Sequence, residues 1–208
     1  MTDDEHAPPM RTALSLAIST LILATALAGC SGISGIVGGS DSVEVPTWEV
    51  GDWWLYTFST PDYTDDTARL VVASISEEGG TANMLAISSL TEARRHAVLN
   101  HNPFLGRMTH EDLAAFENGV AQTVMDFPLK EGGTWGFTLF SVEWSADVRG
   151  ISGNYVTMGA SSSDGSKLDY VYDSDAGFLS SFIWTDATGV EQMRMMLANS
   201  GDGHTGDV

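Results

Sequence analysis

The sequence predicts an all-β protein, mainly antiparallel, that folds as a curved sheet or incomplete barrel from two related β units, with one short connecting helix and an N-terminal signal helix. Three observations support this prediction. Short runs of aromatic and β-branched residues are separated at short spacing by Gly, Asp and Asn, which is typical of antiparallel strands and their turns. The chain contains an internal similarity, and one segment between its two copies carries helix-capping signals.

The internal similarity lies between residues 46–59 and 128–141, where Pro, Glu, Gly, Trp, Phe and Ser match at a constant offset of 82. Proline cannot donate to a sheet ladder and therefore precedes the strand. Glycine permits a sharp turn, and the aromatic residues after it prefer a pleated, half-buried surface. We therefore predict a single β domain, residues 46–198, made of units 46–108 and 120–198; a chance resemblance between two aromatic strands is the alternative.

The segment that joins the two units, residues 109–119, is predicted to be a short helix. Thr109 is a good N-cap, acidic residues occupy the first turn, and Gly119 ends the segment. Leu113 and Phe116 are three residues apart and would face the sheet from one side of this helix.

The N-terminal region contains an uncharged run of small and apolar residues, 13–28. A membrane-spanning helix needs roughly 20 such residues, whereas the core of a signal peptide needs about 7–15. The run ends in Leu27-Ala28-Gly29-Cys30, which resembles the lipobox of prokaryotic lipoproteins. The resemblance implies that Cys30 is lipidated and becomes the new N-terminus; a buried cysteine in an apolar helix is the alternative. A start at Met10 would give a more usual signal-peptide opening.

This interpretation divides the chain into four parts. Residues 1–29 are the predicted signal peptide with its lipobox, 30–45 the lipidated cysteine and a Gly- and Ser-rich flexible tether, 46–198 the β domain, and 199–208 a disordered tail. Cys30 is the only cysteine, so its lipidation would exclude disulfides, thiol catalysis and cysteine metal sites.

The composition is strongly acidic, with 28 Asp and Glu against 9 Lys and Arg and a net charge of −19. Such a surface repels nucleic acid and anionic headgroups, so no nucleic-acid partner is predicted. Solvation in salty water explains this charge, because carboxylates stay hydrated there and their repulsion is screened. An acidic binding site is the alternative.

Two further stretches resemble a group of exported lipoprotein β domains. Phe127–Trp135 is similar to their "PLKxGxxW" strand start, and Tyr172–Leu179 to their "YDxxTGxL" hairpin, with Ala176 in place of Thr. Members of the LolA and LolB type fold as an open, incomplete β-barrel, and some carry lipid in its concave face. Both stretches are turn chemistry, so the resemblance concerns fold more than function.

No catalytic residue, cofactor or metal site is predicted, and the protein is not expected to be an enzyme. The run from His110 begins like the HExxH zinc motif but has Ala114 in place of the second histidine. His96, His101 and His110 could meet around one loop, but exposed loop histidines are the favoured interpretation. Asp173-Ser-Asp175 resembles the start of a calcium loop, although a turn in which Asp bonds its own backbone also explains it.

The tryptophans are the candidate ligand-binding residues, since aromatic rings can line a groove as well as fill a core. We single out Trp53, Trp54, Trp135 and Trp184. The expected function is a membrane-anchored extracytoplasmic lipoprotein, a non-enzymatic binding or structural module held at the cell membrane through a lipid on Cys30. Its partner would be a hydrophobic ligand or a surface protein.

The alternative function is a carrier of lipid or another hydrophobic ligand in a half-open β-barrel. A continuous apolar cavity that opens to solvent would favour the carrier, and a filled core would favour the surface module. A hydrolase is a third, weaker hypothesis, because it would need titratable groups that converge in a cleft.

Overall fold

The computed structural model describes residues 42–62, 66–76, 81–87 and 102–204. They all belong to one compact unit, Ser40–Val208. Cys30, the predicted signal helix, His96 and His101 lie outside the described residues. Within the described ranges the protein is all-β and antiparallel, as predicted, and contains no helix.

Fourteen strands are described, and most of them are joined by tight turns. Their bounds are β1 Ser42–Val43, β2 Trp53–Ser59, β3 Asp66–Ser76, β4 Thr81–Ile87, β5 Gly106–Thr109, β6 Ala115–Glu117, β7 Val120–Gln122, β8 Leu129–Lys130, β9 Thr134–Leu139, β10 Val142–Ser152, β11 Tyr155–Ser161, β12 Lys167–Asp173, β13 Phe178–Thr185 and β14 Glu191–Gly201. β1 lies within the predicted tether, and β14 continues three residues into the predicted tail.

Twelve of these strands form one open sheet in the order β7-β6-β5-β4-β3-β2-β14-β13-β12-β11-β10-β9. The sheet consists of two six-stranded meanders, β2 to β7 and β9 to β14, in which sequential strands pair as neighbours. The meanders join where β2 pairs with β14, with Phe58 opposite Met195. β1 pairs separately with β8, and Ser42 lies opposite Lys130.

The core follows the two-residue alternation of the strands. In β2, Trp54, Tyr56 and Phe58 are buried, and the residues between them are only half-buried. Strand register aligns the buried side chains in rows across the sheet. One row runs across six adjacent strands through Val148, Met158, Tyr170, Phe182, Met195 and Phe58.

Side chains from outside the meander strands fill the space over this inner face. The ring of Phe104, which precedes β5, packs edge-on against Phe178 and Phe182, with centroids 5.4 and 5.3 Å apart. Leu113, Val124 and Met125, which lie in connecting segments, are fully buried in the same cluster. The inner face of the sheet is therefore packed with side chains.

The two edge strands of the sheet, β7 and β9, approach each other without forming a ladder. The side-chain Oε1 of Gln122 accepts a hydrogen bond from the backbone N–H of Thr138 at 2.7 Å. Glu117 Oε1 accepts another from the N–H of Ser141 at 2.9 Å. The sheet therefore curls until its edges are linked by side chains, while the backbone ladder stays open.

The predicted helix over residues 109–119 is wrong. Residues 106–122 form a pair of hairpins, β5–β6 and β6–β7, in place of a helix. Thr109 Oγ1 does accept a backbone hydrogen bond, from Ala114 N at 2.7 Å, but in a loop that leads into β6. Asn118 and Gly119 both have positive φ, at 50° and 81°, and form the two-residue turn between β6 and β7.

Candidate binding surface

The four tryptophans singled out from the sequence do not form one groove. On β14, Ser200 lies opposite Trp54 and Met193 lies opposite the strand position of Trp184. At about 3.3 Å per residue, these two positions are roughly 23 Å apart along the strand. Trp53 adjoins Trp54 in sequence and therefore points to the opposite face of the sheet. Each tryptophan has its own environment.

Trp54 is part of the core. Its ring packs against Trp48 and Phe178, with centroid distances of 5.1 Å to each. Its indole N–H donates to the carbonyl of Ala176 at 2.7 Å, and that of Trp48 donates to Gly177 O at 3.0 Å. Both rings thus tie the start of β2 to the β12–β13 turn, and only 2% of each is exposed.

Trp53 lies on the outer face and contacts a cation. The guanidinium carbon of Arg69 lies 4.5 Å from the centroid of its ring. A Cβ at Gly201 would come within 2.9 Å of the same ring, so glycine is required there for the ring to lie flat on β14. This arrangement covers the outer surface of the junction between the meanders.

Trp184 supports the tip of the β9–β10 hairpin. It stacks in parallel on Phe140, with centroids 4.2 Å apart and planes 5° apart. Phe140 and Ser141 form the turn with φ of 57° and 60°, a conformation that bulky side chains rarely adopt. The stacked indole and the hydrogen bond from Ser141 N to Glu117 hold this turn in place.

Trp135 lines an open cavity of about 310 Å³ beside the edge strand β9. Phe127 and Pro128 form an apolar wall of this cavity, and Lys130 and Asp126 provide one charge of each sign. The indole N–H of Trp135 is buried and has no hydrogen-bond partner in the described part of the chain. The sequence predicts only a strand start at Phe127–Trp135, yet the same stretch supplies most of the residues that line this cavity.

A second open cavity, of about 340 Å³, lies where β2 begins and β14 ends. Its floor contains Trp48 and Trp54, and Asp52, Asp175 and Asp202 stand around it. Asp52 accepts a hydrogen bond from Glu49 N at 2.8 Å, and Asp175 accepts one from the Asn154 amide. Among the described residues no group of three or more His, Cys, Asp or Glu side chains could hold a metal ion.

The calcium-like run Asp173-Ser-Asp175 forms a turn in which Asp bonds its own backbone. Asp173 Oδ1 accepts hydrogen bonds from Asp175 N at 3.0 Å and from Ala176 N at 3.4 Å. The turn interpretation of this run is therefore confirmed. His110 is likewise engaged in structure, since its Nε2 lies 3.1 Å from the carbonyl oxygen of Trp48.

The acids of the described chain whose pKa is strongly raised are buried phenols in the core. Burial raises the pKa of Tyr56, and the nearby Asp173 charge raises it further. The Tyr56 hydroxyl donates to Leu179 O at 2.6 Å, and that of Tyr170 donates to Val124 O at 3.0 Å. A buried, protonated phenol that donates to a backbone carbonyl holds two segments of the chain together.

Comparison with protein-family models, with curated proteins and with solved structures finds no significant match to this chain. In the described ranges, no helix has the length and apolar character that crossing a bilayer requires.

Proposed function

We propose that this protein is a membrane-anchored extracytoplasmic lipoprotein whose β domain is a non-enzymatic module that binds a partner at its surface. The observation that supports a surface module is the packed inner face of the sheet. Phe104, Phe178 and Phe182 occupy the space in which a carrier would hold its ligand, and none of them has exposed surface. A hydrophobic ligand would have to displace these rings from a well-packed core.

The anchor part of the proposal is supported by the lipobox resemblance at Cys30 and by the segment C-terminal to it. This Gly- and Ser-rich segment leads directly to β1, which begins at Ser42 and pairs with β8. The domain would therefore start about twelve residues after the lipid, and its surface would stay within reach of the membrane. Two acyl chains on such a cysteine would give stable attachment.

Lipidation can be tested in a prokaryotic host that processes lipoproteins, with the full chain and the Cys30→Ser variant. We expect the unaltered protein in the membrane fraction, with an intact mass that corresponds to a chain starting at a diacylated Cys30. The variant should lack the mass of the lipid, and it should not be cleaved to the mature chain that starts at position 30. Unaltered protein with a free thiol at position 30 would contradict the anchor.

The carrier alternative can be tested separately by native mass spectrometry of the full chain extracted in mild detergent. The packed core leads us to expect that no lipid co-purifies except the covalent one. A second lipid bound in stoichiometric amount, and retained when Cys30 is replaced by Ser, would support the carrier in place of the surface module.

A further inference from the structure

The edge of β9 has an alternation that two independent hydrogen bonds define. The N–H of Thr138 donates to the Gln122 side chain, so it points away from β10. The carbonyl of Gly133 accepts from Val148 N at 2.9 Å, so Gly133 points toward β10. Because alternate residues of an antiparallel strand point their backbone groups to the same side, the N–H and C=O groups of Thr134 and Gly136 point outward with Thr138.

This outward half of β9 is an open sheet edge. β9 is the last strand of the sheet, and in the described part of the chain no strand pairs with Thr134 or Gly136 on this side. Both residues are exposed. Gln122 covers the edge only at Thr138, because β7 ends there and the chain turns away toward β8. Unpaired backbone groups of this kind are a template for another strand.

The cavity beside Trp135 adjoins this open edge, since Thr134 and Trp135 belong to its lining. In an added strand, alternate side chains would point to the inner side of the sheet, toward Trp135 and Phe127. The buried indole N–H of Trp135 has no partner among the described residues. It would then lie beside the backbone of the added strand, whose carbonyl oxygens can accept a hydrogen bond. The indole N–H of Trp184 also has no partner in the ranges that the structure describes, but Trp184 lies in neither of the two cavities described above.

The charges around the edge favour a basic occupant. Asp126 lines the cavity, and the exposed Glu131 follows Lys130. On the outer face, Glu143 and Asp147 of β10 lie opposite residues of β9. Among the described residues around the edge, these four carboxylates outnumber two cations, Lys130 and Arg149, whose guanidinium lies 3.6 Å from Asp147. A second copy of this chain, with its own net charge of −19, would be repelled from such an edge.

We propose that the outward edge of Thr134 and Gly136, with the adjoining Trp135 cavity, binds an extended basic segment of a partner protein by strand addition. The segment alternates Lys or Arg with large apolar residues. Its backbone pairs with β9, its apolar side chains enter the cavity, and its basic side chains meet the carboxylates around the edge. This inference rests on the proposed surface module and specifies the partner that such a module binds.

The test uses a random heptapeptide library displayed on phage and selected against the full chain in detergent. The key variant is Gly136→Pro, which removes one outward N–H at an edge position where proline is compatible with a strand. Gly136→Ala is the matched control, because it keeps the N–H and its Cβ would approach only Trp144 O, at 3.4 Å. We expect selected peptides that alternate basic and apolar residues and that bind Gly136→Pro about tenfold more weakly, but Gly136→Ala normally.

Amide hydrogen exchange supplies the second readout. A bound peptide should slow hydrogen exchange at the amides of Thr134 and Gly136. Exchange at the Phe137 amide, which points toward β10, should be unchanged. If Gly136→Pro does not fold, Thr134→Pro tests the same edge. The proposal is overturned if no peptide distinguishes the proline variant from the alanine variant, if the selected peptides are acidic, or if these two amides are not protected. None of these outcomes bears on the lipid at Cys30, so the anchor and the edge can fail independently.

Discussion

Gln122 bridges the two edges of the sheet, because its side-chain oxygen accepts the backbone hydrogen bond of Thr138 that a strand carbonyl would otherwise take. The side-chain oxygen of Glu117 likewise accepts the backbone hydrogen bond of Ser141, in the β9–β10 turn. Two side chains from one hairpin, β6–β7, thereby accept backbone hydrogen bonds at the end of β9 and in the turn that follows it. The half of the edge that they do not reach is the half we assign to a partner.

Replacement of Gln122 by Ala should loosen this link. The loss of one hydrogen bond to a backbone N–H is expected to reduce the free energy of unfolding by about 1 kcal/mol. Urea denaturation would measure it, and amide exchange at Thr138 should become faster. Glu117→Gln is the control, because it keeps an oxygen acceptor for Ser141; an equal loss in both variants would mean that the bridges are not the cause.

Substitutions at Asn118 distinguish the observed turn from the predicted helix. In a turn with positive φ, Asn118→Ala should cost about 1 kcal/mol of stability, whereas Asn118→Gly should be neutral or stabilising. A helix would give the reverse order, since alanine is the best helix former and glycine among the poorest. Thermal and urea unfolding of the two variants decide between these orders.

Stability should fall in alkaline solution because of the buried phenols. Burial raises the pKa of Tyr56, Tyr170 and Tyr172 in the folded protein. In the unfolded chain a phenol has a pKa of about 10. The folded state therefore holds more protons above that pH, and its advantage is complete below about pH 10 and is lost as the pH rises further. Each phenol contributes at most about 1.4 kcal/mol per pH unit.

Urea denaturation between pH 8 and 11.5 would measure this loss, with absorbance at 295 nm to follow phenolate formation. Because burial raises the pKa of the three buried phenols, they should form phenolates only as the protein unfolds. Tyr56→Phe should make the alkaline loss less steep, and an unchanged slope would show that Tyr56 does not cause it.

The carboxylate of Asp186 should stabilise the folded protein at neutral pH and lose this effect in acidic solution. Hydrogen bonds from the Thr188 hydroxyl and from Val190 N, together with Gln192, lower the pKa of Asp186 to about 2. Its charged form is therefore favoured by folding, and this contribution is present above about pH 4 and lost as the pH falls toward 2. Asp186→Ala should lower the melting temperature at pH 6, and the difference from the unaltered protein should shrink toward pH 2. An equal difference at pH 6 and at pH 2 would show that the Asp186 charge is not its cause.

The two adjacent tryptophans of β2 should respond differently to truncation. Trp54→Ala would remove a buried ring and should cost about 3–5 kcal/mol, whereas Trp53→Ala would remove a surface contact with Arg69 and cost about 0.5–1 kcal/mol. Urea denaturation compares them directly. Similar losses for the two would contradict the assignment of Trp53 to the outer face.

The all-β class and the pairing of sequential strands could be predicted from the sequence because they depend on local alternation and turn residues. The aligned segments 46–59 and 128–141 do contribute the strands that begin the two meanders. The pairing of β2 with β14 could not be predicted, since it joins residues far apart in sequence and no local pattern encodes that contact.

The helix prediction failed because capping signals and turn signals use the same residues. Thr109 and Gly119 suit a helix, but Asn118-Gly119 is also the strongest short signal for a two-residue hairpin, and the pairing of β6 with β5 and β7 decides between them. Trp135 and Trp54 each line a cavity, and their binding of a ligand stays a prediction. Their different environments could not be predicted, because Trp54 packs against Trp48 and Phe178 only in the folded chain. Lys130 and Phe127 were missed as cavity residues because they adjoin Trp135 only after the chain turns at Gly132 and Gly133.

The junction between the meanders has a consequence for the order of the chain. Gly201 of β14 lies opposite Trp53 of β2, and His204 N donates to Gly51 O at 2.9 Å, so the end of the second meander lies beside the start of the first meander. A short linker could join these ends, and the chain could be reopened in the connection between β7 and β8, without loss of any ladder in the twelve-stranded sheet. The architecture is thus compatible with circular permutation, and either meander could leave the ribosome first.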